Sequence, residues 1–272
     1  MQNLIITVAA GAAMSAAATA APIYTLEFGH SHVALGFGEN PADPRDRDDD
    51  PNNDVNQFLN NDGALFPHFG DSSSAPPSNL PVDGPYAPGQ VLIKVASNTA
   101  IARPDNAELD AALGNNAGDT VWVLPELLAD ATALNVPWLS PEVEEDAYDQ
   151  FDDPDNDPST GNVRWSLDAV SGPGEVALWI ADPGDPFGGI DLWMGSADGL
   201  DGDDAIQLFA GDIHNNWAFT EPGMYDLTFG FEVTVAGVLL SEQATFTFQV
   251  IPAPGAAGFL GIAGLAVLRR RR

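Results

Sequence analysis

The chain has 272 residues, 40 acidic and 9 basic side chains, a formal net charge of −31 and no cysteine. A charge this negative repels nucleic acid and anionic lipid faces, which excludes both as ligands. The lack of cysteine excludes disulfides, a thiolate metal site and a thiol nucleophile.

Leu4 to Ala21 is apolar and Ala-rich, and Ala18-Thr19-Ala20 fits the small-x-small pattern cut by signal peptidase. Residues 1–21 therefore read as a signal peptide, with cleavage before Ala21 or Pro22, although the segment carries no Lys or Arg. All 40 acidic residues fall in the remaining exported part, with only Arg45, Arg47, Lys94, Arg103 and Arg164 among its bases ahead of the C-terminal arginines. Without those four arginines the exported body carries 5 − 40 = −35, which favours cations over anions as ligands.

Residues 22–160 are expected to form an irregular, β-rich part with long acidic loops. Ile23 to Phe28 alternates like a strand, and Val33 to Phe37 follows the polar loop Gly29-His30-Ser31-His32. Gly38 to Pro88 reads mostly as loop, because its Asp, Asn, Ser and Pro tracts bury too little apolar area to offset chain entropy, while Phe58, Leu59, Leu65, Phe66 and Phe69 within it are apolar enough to dock on a core. Gln90 to Ala96 and Thr120 to Leu124 read as strands, with a short helix over Asn106 to Leu113. Pro125 to Leu139 is expected to be irregular apart from a helical turn at Glu126 to Asp130. A second acidic loop spans Glu142 to Asp157.

Residues 161–251 carry frequent strand patterns split by Gly, Pro and Asp turns. The expected strands are Val163–Val170, Glu175–Ala181, Ile190–Met194, Ile206–Phe209, Asn216–Phe219, Met224–Val235 and Ala244–Val250, with a turn at Gly237. The fold class is thus mainly β, with an antiparallel Ig-like β-sandwich in the C-terminal half, open to fusion with the first half in one core. Pro222-Gly223-Met224-Tyr225 reads as a tyrosine corner, a late-strand Tyr whose hydroxyl binds nearby backbone. Trp122, Trp165, Trp179 and Trp217 fall in strand patterns and are expected in the core, and Trp193 is the most exposed candidate.

Residues 252–272 differ from everything before them. Pro252-Ala253-Pro254 precedes a 14-residue apolar run, Gly255 to Leu268, and then Arg269 to Arg272. As a helix the run spans roughly 21 Å, short of the roughly 30 Å bilayer core. The four arginines hold its end on the cytoplasmic side. This turn, short transmembrane helix and Arg cluster resemble a PEP-CTERM sorting signal, with Pro-Ala-Pro in place of Pro-Glu-Pro. The resemblance implies handling by an exosortase-type membrane protease as partner. The expected location is then exported, at the cell surface or extracellular, with transient anchoring in the inner membrane by this segment.

The four histidines offer one constellation with metal-ligand chemistry. His30 and His32 stand two apart, which on a strand puts both imidazoles on one face, and Asp212 and His214 share that spacing. Histidines plus a carboxylate suit zinc or a similar divalent ion at about 2.0–2.2 Å. The alternative is four unrelated surface histidines. Asp46-x-Asp48-x-Asp50, Asp153-x-Asp155-x-Asp157 and Asp201-x-Asp203 alternate hard oxygen donors as calcium loops do, but lack the EF-hand's Gly and closing Glu. No Gly-x-Ser-x-Gly, His-Glu-x-x-His, phosphate loop or dinucleotide fingerprint occurs, so no enzyme is expected.

Gly211 to Tyr225 resembles the hallmark of bacterial surface proteins with a choice-of-anchor M domain, related to actinobacterial surface-anchored repeat proteins. That hallmark runs Gly-Thr-His-x-His-x-Asn-Trp-x-Phe-Thr-x-Pro-Gly-x-Tyr, and here His214-Asn215-Asn216-Trp217-Ala218-Phe219-Thr220-Glu221-Pro222-Gly223-Met224-Tyr225 carries most of it. Val121 to Pro125, Pro137-Trp138-Leu139, Val170 to Glu175 and Ser196 to Gly199 match in order, so the likeness spans roughly Phe28 to Val250. The resemblance implies surface location and a metal or cofactor site at recurrent histidines. His214 fits the second histidine of the pair, Asp212 replaces the first, His30 fits the initial Gly-His, and His68 aligns loosely with a later one. Two functions follow as expectations. One is a non-enzymatic surface protein binding a divalent metal through His30, His32, His68, Asp212 and His214. The other is a structural or adhesive matrix component whose acidic loops bind calcium, extracellular polymers or surface proteins. A His30–His214 separation beyond about 10 Å would favour the second, since both must reach one ion at about 2 Å.

Overall fold

The computed structural model describes residues 22–38, 64–71, 76–81, 85–148, 151–152, 162–182, 185 and 187–254. Among the described residues the chain is mainly β, with 52% strand and 11% helix. The first half supplies β1 (Tyr24–Leu26), β2 (Gly29–Gly38), β3 (Ala64–Asp71), β4 (Val91–Val95), β5 (Ala100–Ala102), β6 (Thr120–Leu124) and β7 (Pro137–Val143). The second supplies β8 (Val163–Ser171), β9 (Val176–Ile180), β10 (Asp191–Gly195), β11 (Ala205–Leu208), β12 (Gly211–Asp212), β13 (Asn216–Phe219), β14 (Gly223–Val235) and β15 (Val238–Val250). Helices α1 (Ala107–Leu113), α2 (Leu128–Leu134) and α3 (Glu145–Tyr148) are short.

Three sheets form, in the orders β1-β4-β15-β14-β8-β11, β10-β9-β13-β6-β5 and β12-β7-β2-β3. Each mixes strands from both halves. β4 lies parallel to β15, β6 antiparallel to β13, and β7 antiparallel to β12. Residues 22–160 and 161–251 are thus interleaved strand by strand.

The six- and five-stranded sheets meet through aromatic rings. Trp165 stacks on Phe229 at 4.7 Å, and Trp217 of the other sheet meets Phe248 at 5.7 Å and Trp165 at 6.1 Å. All four residues of β13 are buried because the outer face of its sheet is covered too. There Ala218 joins Leu109, Ala112 and Leu113 of α1, with Val121, Val123 and Trp179. Helix α1 starts where the Asn106 side chain accepts from the Glu108 and Leu109 N–H groups. The corner expected at Tyr225 is present, its hydroxyl donating to the Glu221 carbonyl at 2.8 Å.

Several local expectations are corrected. Gly29 to His32 is no loop but the start of β2, because β3 and β7 hydrogen-bond to it on both sides. Gly38 to Pro88 contains the strand β3 where loop was expected, while its Leu65 and Phe69 do dock on the core. Pro125 to Leu139 contains α2 and leads into β7, which also takes Glu142 from the expected acidic loop. Trp193 is buried rather than exposed. Of the described residues, none forms a helix long and apolar enough to cross a membrane; 1–21 and 255–272 lie outside them.

Candidate metal centre

The four-stranded sheet carries His30, His32 and His68, and the link after β12 carries His214. Registers align one row, Asp212, Glu142, Ala34 and His68, across β12, β7, β2 and β3. The next row places Ser140 and Gly70 on either side of His32, and the row beyond pairs Trp138 with His30. Two-residue periodicity turns these alternate side chains of β2 and β7 to one face. His214, two residues beyond Asp212, is carried over the same face by the link from β12 to β13.

Four ligand atoms converge there. His30 Nε2 is 3.0 Å from His32 Nε2, 3.0 Å from His214 Nε2 and 3.1 Å from Asp212 Oδ2. His214 Nε2 is also 3.0 Å from Asp212 Oδ2. The donor atoms of His30, His32 and Asp212 all lie within 4.8 Å of one another, and His214 joins them through its two 3.0 Å contacts.

The other ring nitrogens fix the tautomers. His214 Nδ1 lies 3.1 Å from the Leu139 carbonyl, which can only accept, so Nδ1 carries the proton. Burial pushes the His214 pKa down, partly offset by the Asp212 carboxylate, which favours the neutral ring. Its Nε2 then turns a lone pair toward an ionised carboxylate. His32 Nδ1 donates to the Glu142 carboxylate, which likewise leaves a lone pair on Nε2. The neighbouring His214 and then His30 rings hold the Asp212 carboxyl well below the usual carboxylate range despite its partial burial. Three imidazole nitrogens and a carboxylate oxygen at about 3 Å hold too few protons to satisfy one another, and a shared cation removes that conflict.

Packing holds the ligands. Trp138 lies flat on His214, with centroids 3.4 Å apart and planes 3° off parallel, and 4.5 Å from the His30 ring. Its indole N–H donates to the Glu126 carbonyl at 2.7 Å. The Asn216 side chain receives the Glu126 N–H and donates to its carboxylate, tying the start of β13 to that anchor. Desolvation pushes the Glu126 pKa up.

His30, His32, Asp212 and His214 thus come together, and His68 does not join them. It lies further along the face, with Nε2 3.3 Å from Glu144 and Nδ1 3.2 Å from the Phe66 carbonyl. Sequence reasoning missed Glu142, Trp138, Ser140 and the Leu139 carbonyl. The alternation of buried Leu139, Pro141 and Val143 with Trp138, Ser140 and Glu142 is the β signal that could have found them. Of the acidic loops, 46–50 and 153–157 lie outside the described residues. In the third, the Asp201 carboxylate accepts the Asp203 N–H, and neighbouring Asp204 accepts those of Gly195 and Asp201, each at 2.8 Å. The loop's own backbone uses these oxygens.

Compared with known proteins, the chain matches no family model, and no curated protein is significantly similar to it.

Proposed function

We propose that this is an exported, cell-surface-sorted, non-enzymatic protein that binds one divalent metal ion through His30, His32, Asp212 and His214. The observation that carries the metal reading is the 3.0 Å between His30 Nε2 and His214 Nε2, residues 184 apart in sequence. Surface histidines without a shared task have no reason to meet at that distance, beside a His32 whose Nδ1 is held by Glu142 and with the His214 Nδ1 held by Leu139. A nitrogen-rich set with one carboxylate and no sulfur suits zinc and its first-row neighbours over calcium. The export reading rests on the two chain ends, and the anchor-family reading on the residues from Gly211 to Tyr225. We take the six- and five-stranded sheets together as an Ig-like sandwich, with the tyrosine corner in support.

Elemental analysis and calorimetric titration of the purified protein test the site. One equivalent of zinc per chain is expected, and none after His30→Ala or His214→Ala. Undiminished uptake in His214→Ala would end the metal reading. Export has its own test, since intact full-length chain folded in the cytosol with both ends uncut would contradict it.

A further inference from the structure

The four ligand residues do not account for every polar group at the cluster.

The sheet beneath the cluster supplies a further polar group. Ser140 stands beside His32 in register and lies between Trp138 and Glu142 on the same side of β7. It is fully buried, and its Oγ has no hydrogen-bond partner. Buried hydroxyls nearly always have one, and an orphan points to a water or ion at that place. Access exists on the other flank. The Asp212 side chain is 36% exposed, against 8%, 9% and 13% for His30, His32 and His214.

Resting on the metal reading, we propose that the centre also holds a small oxygen- or nitrogen-donor ligand, water or a small anion, hydrogen-bonded by Ser140. The centre is then an exchange-competent binding site rather than a structural clip. Three neutral imidazoles and one carboxylate leave a divalent ion with residual positive charge, which an anion neutralises.

Cobalt(II) loading of the purified protein, followed by sodium azide titration, tests this. The expected result is one cobalt per chain and a saturable spectral change with azide. Ser140→Ala should retain the cobalt stoichiometry and bind azide at least several-fold more weakly, with Ser140→Gly as a second variant should alanine disturb folding. Stoichiometric cobalt with a spectrum unmoved by azide overturns this proposal and leaves the metal reading intact. Azide binding equal in wild type and both variants removes Ser140 from it. No cobalt uptake at all overturns the metal reading, and this proposal with it.

Discussion

Glu142 offers no ligand to the cluster, yet its bond to His32 Nδ1 fixes which nitrogen of that ring faces the ion. Replacing such an outer carboxylate typically costs about 10–100-fold in metal affinity. Glu142→Gln should therefore weaken zinc binding by about that factor in competition with a chelator. Glu144→Gln, which touches His68 instead, should leave affinity within about twofold. Tyr225 gives a residue-scale test of stability. Burial pushes its phenol from 10.0 up to about 12. The unfolded chain gives up that proton first as pH rises, so stability is full below about pH 10 and falls between pH 10 and 12, by roughly 2–3 kcal/mol in all. Denaturant unfolding across that range should show the decline, and Tyr225→Phe should flatten it while costing about 1 kcal/mol at neutral pH for the bonds to Glu221.

Strand β2 carries two ligands, and its register depends on how it begins. Gly29 has φ of +103°, and a Cβ there would stand 2.2 Å from the Ser78 Cα. Only backbone movement could relieve that contact, and it would shift His30, the next residue. Gly29→Ala should cost roughly 2–4 kcal/mol and lower zinc affinity together. Asn106→Ala is the contrasting case. It removes the cap of α1, away from the four-stranded sheet, and should cost about 1 kcal/mol with metal affinity unchanged. Thermal unfolding and zinc titration on both variants separate damage to the site from general loss of stability.

At the scale of the whole molecule, the proposed ion joins β2 to the link between β12 and β13, segments from the two halves of a chain without a disulfide. A ligand held only by the folded state stabilises it by about 2.7 kcal/mol at a free concentration 100 times its dissociation constant. For a body of this size that corresponds to a rise in melting temperature of roughly 5–10 °C. Calorimetry should show this with zinc and its reversal with chelator, and His30→Ala should show neither.

The sequence by itself determined the mainly β class and the cores of most C-terminal strands, because alternation and turn residues are local properties. It showed His30 two residues from His32 and Asp212 two residues from His214, and it indicated the buried fates of Trp122, Trp165, Trp179 and Trp217. Only the tertiary structure decided that these pairs converge and that His68 goes to Glu144 instead. It also revealed that the two halves share every sheet. The reason is physical: strand pairing is non-local, and a polar stretch such as Gly29 to His32 becomes a strand because β3 and β7 hydrogen-bond to its two edges. Nothing in the neighbouring sequence of a histidine specifies which residue 184 positions away will stand beside it.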